Sequence, residues 1–480
     1  MRGPAVLCTL VAALLSVLPA VNAIKLVKKN YPSVVGLDIQ RRPVSNPIQR
    51  DRLRKRKTKT KTVHQILDNE ETLYFCNITL GTPGQRLRMH IDTGSSDLWC
   101  NAPNSTLCTE NDNPCADSGT YDPSLSSTYK FVNSLFNISY VDGSGASGDY
   151  GTDTLRIGDV SLPNFQFGVG FDSSSEEGVL GIGYPANEVQ AARNGEEPYP
   201  NLPFALVEHS FINSPAYSLW LNDLDASTGS ILFGGVNTAK FHGTLQSFPI
   251  VPRGGEYFDL VILLRTLSLS GNGVTQPLGE GDLPVLLDSG SSLCYLPNDL
   301  TSAIYRAVQA TYDASAGAAF VPCRLKNVKA SLRFGFSSKA TIVVPMDELV
   351  LDLGSGEGVD QPTFSNGEPA CVFGIAPAGD GTSILGDTFL RSAYVVYDLA
   401  NHQISLAQTN FNSTGNNLVE IGSGPDAVPS ATGSAAPSGT GTTTTTSKAW
   451  AAGSTARPDV KMGALAGLVG VGMGAFIGLV

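Results

Sequence analysis

Asp92-Thr93-Gly94-Ser95-Ser96 and Asp288-Ser289-Gly290-Ser291-Ser292 repeat one pattern 196 residues apart in a chain of 480. Each follows an apolar stretch that reads as a strand, Met89-His90-Ile91 before the first and Val285-Leu286-Leu287 before the second. A single Asp-Thr-Gly is what any tight turn at a strand end wants. Two matched copies, each with hydroxyls on both sides of the glycine, point instead to a pair of carboxylates brought face to face by two similar halves of the chain. Like charges that close do not both ionise at modest pH. One carboxyl keeps its proton and serves as acid while the other serves as base, with a water activated between them. The repeat extends further along the chain. Gly181 of Val179-Leu180-Gly181 follows Asp92 by 89 residues, and Gly386 of Ile384-Leu385-Gly386 follows Asp288 by 98. This pairing predicts a strand passing beneath each Asp loop, where only glycine leaves room for backbone.

The length suffices for two lobes with substantial cores. From Tyr74 to about Asn410, short alternating runs are separated by Gly, Asn and Asp turns, so the class expected is mainly β. The best helical period lies over Thr301 to Tyr312, with Ile304, Ala307 and Val308 on one face. Charge is distributed unevenly. Residues 24–63 hold 13 Lys and Arg against 2 Asp and Glu, whereas residues 64–480 hold 18 against 41. So acidic a body relaxes as its carboxylates protonate, which fits work in acid and argues against nucleic acid as a partner.

The ends of the chain read as processing and anchoring segments. Residues 1–23 carry Arg2, an apolar run from Ala5 to Val21 and the small-residue site Val21-Asn22-Ala23, the pattern of a secretory signal peptide. Residues 24–63 are expected to be a removable basic propeptide, because Arg50 to Lys61 has no apolar period that could build a core. Arg41-Arg42 and Lys55-Arg56 are candidate processing sites, and the positive segment is suited to lie across an acidic cleft as the precursor's own inhibitor. Residues 412–460 turn to Ser, Thr, Gly, Ala and Pro and are expected to form a disordered stalk. Residues 461–480 end in an uncharged apolar tail behind Gly453-Ser454-Thr455 and a polar spacer. That is the signal for a glycosylphosphatidylinositol (GPI) anchor attached at Gly453. Sequons at Asn77, Asn104, Asn137 and Asn412 agree with a secretory route to the cell surface, on the outer plasma membrane or wall, with a secreted form alongside.

The chain resembles the pepsin-like aspartic proteases, and most closely their fungal yapsin-like, GPI-anchored branch. The resemblance covers about residues 70–410. It is carried by Tyr74-Phe75 through Gly81-Thr82-Pro83-Gly84-Gln85, by Asp92 to Trp99, by Ser139-Tyr140-Val141-Asp142-Gly143-Ser144, by Ser227 to Gly235, by Asp288 to Leu296 and by Ile384-Leu385-Gly386-Asp387. It implies a bilobal fold of pseudo-two-fold related lobes, 64–245 and 246–411, with an active-site cleft between them. It further implies that Asp92 and Asp288 are catalytic and bind the lytic water, and that a proton passes to the leaving nitrogen. Thr93 and Ser289 would cross-link the two loops, and Ser95 and Ser291 would hydrogen-bond their neighbouring Asp, with Gly94 and Gly290 completing the support. Tyr140 matches the tyrosine of a flap that closes over substrate, Trp99 the tryptophan that supports it, and Gly143 and Ser144 follow in the same hairpin. Asp142 at the flap tip is suited to attract a basic substrate residue.

Seven cysteines remain after the signal peptide. The resemblance implies a disulfide between Cys323 and Cys371. Cys76, Cys100, Cys108 and Cys115 permit three pairings, Cys100–Cys108 with Cys76–Cys115 being one, and Cys294 is left as a buried apolar cysteine. A metal hydrolase is disfavoured, since the five histidines are scattered and no His-x-x-x-His or Cys-x-x-Cys occurs. The expectation is a monomeric aspartic-type endopeptidase without cofactor or metal, acting on protein and peptide substrates at acid pH. The alternative is a weak or inactive surface-binding or wall-binding protein on the same fold.

Overall fold

Two strand units of the same design, one around each Asp loop, organise the chain. The computed structural model describes residues 33–42, 73–140, 144–226, 228–352, 362–433 and 451–452. The first strand, β1 (Val35–Arg42), precedes an antiparallel hairpin of β2 (Leu73–Leu80) and β3 (Gln85–Asp92), in which Phe75 faces His90. Asp92 is the last residue of β3, and β4 (Leu98–Asn101) leads the chain away from the loop. A long hairpin of β5 (Lys130–Ser139) and β6 (Gly145–Ile157) is continued by β7 (Val160–Ser173). Then β8 (Gly178–Gly181) inserts between β3 and β4, parallel to the former and antiparallel to the latter.

The second half repeats the plan. Strand Val274–Leu287 ends at the residue before Asp288, and strand Ile384–Leu385 runs parallel to it and antiparallel to Cys294–Leu296. The two glycines singled out by their spacing close these units. A β-carbon on Gly181 would lie 2.6 Å from the Ser96 amide nitrogen, and one on Gly386 would lie 2.3 Å from the Ser291 carbonyl oxygen. Backbone passes so near each Asp loop that no side chain fits.

A shared sheet ties the halves together: strands Ala216–Trp220, Thr228–Phe233, Ala393–Asp398 and Gln403–Thr409 join β1, β2 and β3 in one hydrogen-bonded series. Where the halves meet, Tyr217 stacks on Tyr397 with ring centroids 4.9 Å apart, both rings buried. Beneath lies an aliphatic and aromatic core that draws on both halves, with Ile91 and Leu180 from the first and Leu287 and Leu385 from the second. Each such side chain contributes roughly 1.5–3 kcal/mol by leaving water.

Three expectations change. The segment predicted to be a removable propeptide contains β1, which pairs with Thr228–Phe233 on one side and with β2 on the other. Its Val35, Leu37 and Ile39 are buried while Gly36, Asp38 and Gln40 face out, a period-2 pattern that the neighbouring basic run outweighs in composition. Arg41 and Arg42 stand in register with Tyr74 and Leu73, so this dibasic pair is held in a sheet. The stalk expected over residues 412–460 is held to the body wherever it is described: residues 412–433 pack on it, and Ala451–Ala452 pairs with strand Val274–Leu287. Strand Leu418–Glu420 pairs with Gly235–Asn237, and Ile421, Ala427 and Val428 are buried against Trp220 and Tyr394. Few apolar residues suffice there because the surface that receives them is already folded. The helix spans Asn298–Val308 rather than reaching Tyr312, since Gln309 turns left-handed at φ 59° and Thr311–Asp313 joins a strand pair. Among the described residues no helix is long and apolar enough to cross a membrane.

Candidate active site

Each Asp loop is locally stiff because its own amides and hydroxyls fold back onto its carboxylate. The Gly94 amide donates to Asp92 Oδ1 at 2.7 Å and the Ser95 hydroxyl to Asp92 Oδ2 at 2.5 Å. The second loop repeats this, with the Gly290 amide 2.8 Å from Asp288 Oδ1 and the Ser291 hydroxyl 2.7 Å from Asp288 Oδ2. Both carboxylates are therefore fixed in orientation before any substrate arrives.

Across the gap the loops grip one another reciprocally. Thr93 Oγ1 donates to the Leu287 carbonyl at 2.8 Å and accepts from the Ser289 amide at 3.0 Å. Ser289 Oγ donates to the Ile91 carbonyl at 3.0 Å and accepts from the Thr93 amide at 3.2 Å. Buried His90 adds a fifth link, its Nε2–H donating to the Ser289 carbonyl at 3.3 Å. All of these groups are shielded from water, so each bond lost would leave polar atoms unsatisfied.

The grip brings the carboxyls together. A β-carbon on Gly290 would sit 2.4 Å from Asp92 Oδ1 and 2.9 Å from Asp288 Oδ1, while one on Gly94 would sit 2.6 Å from Asp288 Oδ1. Each acid thus lies over the other loop's glycine, and any larger residue would collide with it. Burial first, and the charge of Asp92 second, push the Asp288 carboxyl up to about 7, against the opposing hydrogen bond from Ser291. A carboxyl so placed holds a proton at the acidities where ordinary aspartates have lost theirs.

Around the pair runs a cleft of about 330 Å³, bounded by Ile138, Tyr140, Val189 and Arg193 on one side and by Leu286 and Tyr295 on the other. The β5–β6 hairpin overhangs it. Half-buried Tyr140 accepts a 2.7 Å hydrogen bond on its hydroxyl from Trp99 Nε1, and its amide donates to the buried Ser144 carbonyl at 2.8 Å. Asp142 and Gly143, at the tip of that hairpin, lie outside the described residues, as does Gly453. Asp259 also lines the cleft and pairs with Arg253 at 3.2 Å, the guanidinium resting over Phe258.

A second set of residues behind the site was not anticipated. Buried Asp97 accepts from the Tyr150 and Tyr199 hydroxyls at 2.5 and 2.8 Å and from the Val189 amide at 2.9 Å. Burial raises its carboxyl above the ordinary aspartate range, and those hydrogen bonds oppose the rise. Glu188 beside it, whose carboxylate receives the Tyr199 amide at 2.8 Å, is pushed by burial up to about 10. Asp97 stands within the first motif, but its partners lie 53, 102 and 92 residues away, beyond the reach of any local signal. Behind the second loop, Glu348 and Arg391 form a fully buried ion pair. The Arg391 guanidinium also donates to the Glu348 carbonyl at 2.7 Å, and the Leu224 amide reaches Glu348 Oε1 at 3.0 Å.

The remaining predicted residues are placed apart from the cleft. Cys323 is bonded to Cys371, the pairing the resemblance implied. In the first half Cys108 is bonded to Cys115, a correction to the option of Cys100–Cys108 with Cys76–Cys115. The two partners sit in one short loop, whereas Cys76 and Cys100 project from β2 and β4 into the core as buried thiols. Burial pushes the Cys76 thiol up to about 12, and that of Cys294, 3.3 Å from the Thr388 hydroxyl, up to about 11. Asn77, Asn104, Asn137 and Asn412 are all exposed. The one cluster of metal-ligand type among the described residues combines Asp352 with Cys323 and Cys371, whose sulfurs are committed to their disulfide.

Comparison with known proteins sets this geometry in a family. The model of the eukaryotic aspartyl proteases matches residues 73–409. A probable aspartic-type endopeptidase opsB of Aspergillus fumigatus is 56% identical over 407 residues, 84% of this chain and 82% of that protein. Secreted aspartic protease 7 of Candida albicans is 37% identical, covering 74% of this chain and 63% of its own. The aspartic proteinase from Irpex lacteus has a solved structure that superposes with a TM-score of 0.57 at 19% identity, over 80% of this chain and all of that one, a likeness of fold.

Proposed function

We propose that this chain, which belongs to the eukaryotic aspartyl protease family and is an aspartic-type endopeptidase, hydrolyses peptide bonds in acid with a water held between Asp92 and Asp288. The observation that carries this reading is the reciprocal grip of Thr93 and Ser289, which presses the two carboxyls onto each other's loop glycine. Asp288 holds the shared proton, for burial and its neighbour's charge raise it, and Asp92 acts as base. In the forward step Asp92 takes a proton from the water, whose oxygen bonds to the scissile carbonyl carbon. Asp288 gives its proton to the carbonyl oxygen, so that a neutral tetrahedral diol results. Collapse of the diol breaks the carbon–nitrogen bond as Asp92 gives its proton to the departing nitrogen and Asp288 takes one from a diol hydroxyl, which leaves a carboxylic acid and an amine and restores the shared proton to Asp288. Tyr140 and its hairpin cover the site and exclude bulk water, with Trp99 holding the tyrosine hydroxyl.

The finer reading extends this to a cell-surface protease, made with a signal peptide and carried on a GPI lipid, acting as a monomer. Its support is the apolar start and end of the chain, the four exposed sequons and a secreted relative. Residues 24–63 serve as propeptide and inhibitor; Arg41-Arg42 is held between two sheet partners, which disfavours cleavage there, and Lys55-Arg56, outside the described residues, is the remaining dibasic site. A preference for basic residues at the cleavage site is supported by Asp142 in the flap sequence and by the acidic balance of residues 64–480.

The pH dependence of kcat/KM on an unfolded protein substrate tests the central claim. Activity is expected to fall as pH rises through about 7, where the shared proton leaves. Asp288→Asn is expected to lose turnover by on the order of 10⁴-fold while folding as the parent does. Activity that climbs steadily to pH 9, or that survives in Asp288→Asn, would remove the dyad.

A further inference from the structure

The helix Val189–Asn194 bridges the buried acid behind Asp92 and the open edge of the flap hairpin. At its start the Val189 amide is bound by Asp97, five residues beyond Asp92. At its end, Arg193 Nη1 donates to the Asn137 carbonyl at 2.8 Å, Arg193 Nη2 to the Ser139 carbonyl at 3.0 Å, and Asn194 Nδ2 to the Leu135 carbonyl at 3.2 Å. These three carbonyls alternate along β5, which is the terminal strand of its sheet. Its other edge pairs with β6, and among the described residues no strand receives the carbonyls on this side. A helix end takes the place of that missing strand. The forked guanidinium suits the task, since two parallel N–H groups meet carbonyls two residues apart, and a lysine would reach one of them. Ser139 immediately precedes Tyr140, and Ile138 and Arg193 both line the cleft.

We propose that Arg193 is a positioning residue that clamps the flap strand at the height where Tyr140 covers the bound peptide, with Asn194 as a secondary contact. This rests on the reading of Asp92 and Asp288 as the reacting pair and of the β5–β6 hairpin as their cover. The clamp acts on substrate affinity rather than on chemistry. Without it the flap strand frays from the helix, Tyr140 spends less time over the cleft, and the peptide escapes faster. The Asp pair, gripped from below by Thr93 and Ser289, is untouched.

The test is steady-state kinetics on a peptide substrate with pepstatin as a tight-binding probe, for the parent, Arg193→Met, Arg193→Lys, Asn194→Ala and Asp92→Asn. Arg193→Met is expected to raise KM and the pepstatin dissociation constant by about tenfold with kcat changed less than about twofold. Arg193→Lys is expected to recover part of that loss, and Asn194→Ala to show a smaller loss of the same kind. Hydrogen exchange should quicken at the amides of β5 and Tyr140, with the thermal midpoint and the pH profile of kcat unchanged. Equal KM in the parent and Arg193→Met, with Asp92→Asn inactive, would overturn the clamp and leave the dyad standing. A fall in kcat alone, or an Arg193→Lys no better than Arg193→Met, would also overturn it. Activity retained in Asp92→Asn would instead defeat the reading on which the clamp rests.

Discussion

Behind Asp92, the supporting acid Asp97 is met by two tyrosine hydroxyls and a helix amide, and among the described residues no cation bonds it. Behind Asp288, the supporting acid Glu348 is met by the guanidinium of Arg391, whose own amide donates to the carbonyl of Asp387 at 3.0 Å. Asp387 in turn donates its amide to the Ser291 carbonyl at 2.8 Å, which connects the ion pair to the second loop. The loops are near copies in sequence and in their internal hydrogen bonds, yet one is braced by neutral dipoles and the other by opposite charges. The difference teaches that the constraint on each half is the position of its Asp. Any buried, fully paired group that fixes this position will serve.

The sharpest break in the comparison is expected from Arg391→Met, which leaves Glu348 buried without its cation and should cost about 3–5 kcal/mol in urea unfolding at neutral pH. Replacing both partners by Leu and Met should restore stability to near the parent or above it, since neither charge then needs a partner. If the single and double variants unfold alike, the ion pair is not what braces the second loop. Next in size, Thr93→Val and Ser289→Ala should each cost about 2–3 kcal/mol, because each deletes one donated and one accepted bond in a dry site. Their double variant should cost less than the sum, and strict additivity would show that the two hydroxyls do not form one unit. In the first half Asp97→Asn should be mild, about 1 kcal/mol at pH 4, since burial favours the neutral form of this carboxyl and an amide is close to that form in shape and charge.

The last effect is a slope. Burial raises Glu188 to about 10, and raises Asp97 and Asp398 as well, so the native state retains protons that the unfolded chain gives up above about pH 4. Stability from these groups is therefore fully present in acid and is lost as pH rises through their native values. The thermal midpoint is expected to decline from pH 4 to pH 8, and Glu188→Gln should flatten the decline while leaving the midpoint at pH 4 nearly unchanged. A midpoint that instead rises over this range would contradict the raised values.

Much of the site could be read along the chain because its contacts are short-range. Gly94, Ser95, Gly290 and Ser291 bond the Asp two or three residues before them, and such bonds follow from the order of residues. Gly181 and Gly386 were legible through the repeat itself, since a missing side chain at nearly equal offsets, 89 and 98 residues, marks a close backbone crossing. Tyr140 and Trp99 needed the family's pattern, being 41 residues apart with no local sign of their bond. The Asp97 cluster, His90 and Arg193 escaped because an acid, a histidine or an arginine in a polar stretch reads the same whether its partner is water or a distant backbone group. β1 escaped for a compositional reason. Three alternating apolar residues are a weak signal beside a dense basic run, and only the vacant edges of β2 and Thr228–Phe233 make that strand worth forming.

By itself, then, the sequence determined that there are two Asp loops, that each is stiff, and that each has a glycine strand beneath it, because these are matters of covalent spacing and local hydrogen bonding. Tertiary structure alone decided that β1 joins the sheet, that Cys108 finds Cys115, that residues 412–433 fold onto the body, and that one loop is braced by tyrosines and the other by an ion pair. Those choices depend on which buried polar groups and open strand edges remain to be satisfied once the chain has collapsed. That inventory exists only in three dimensions.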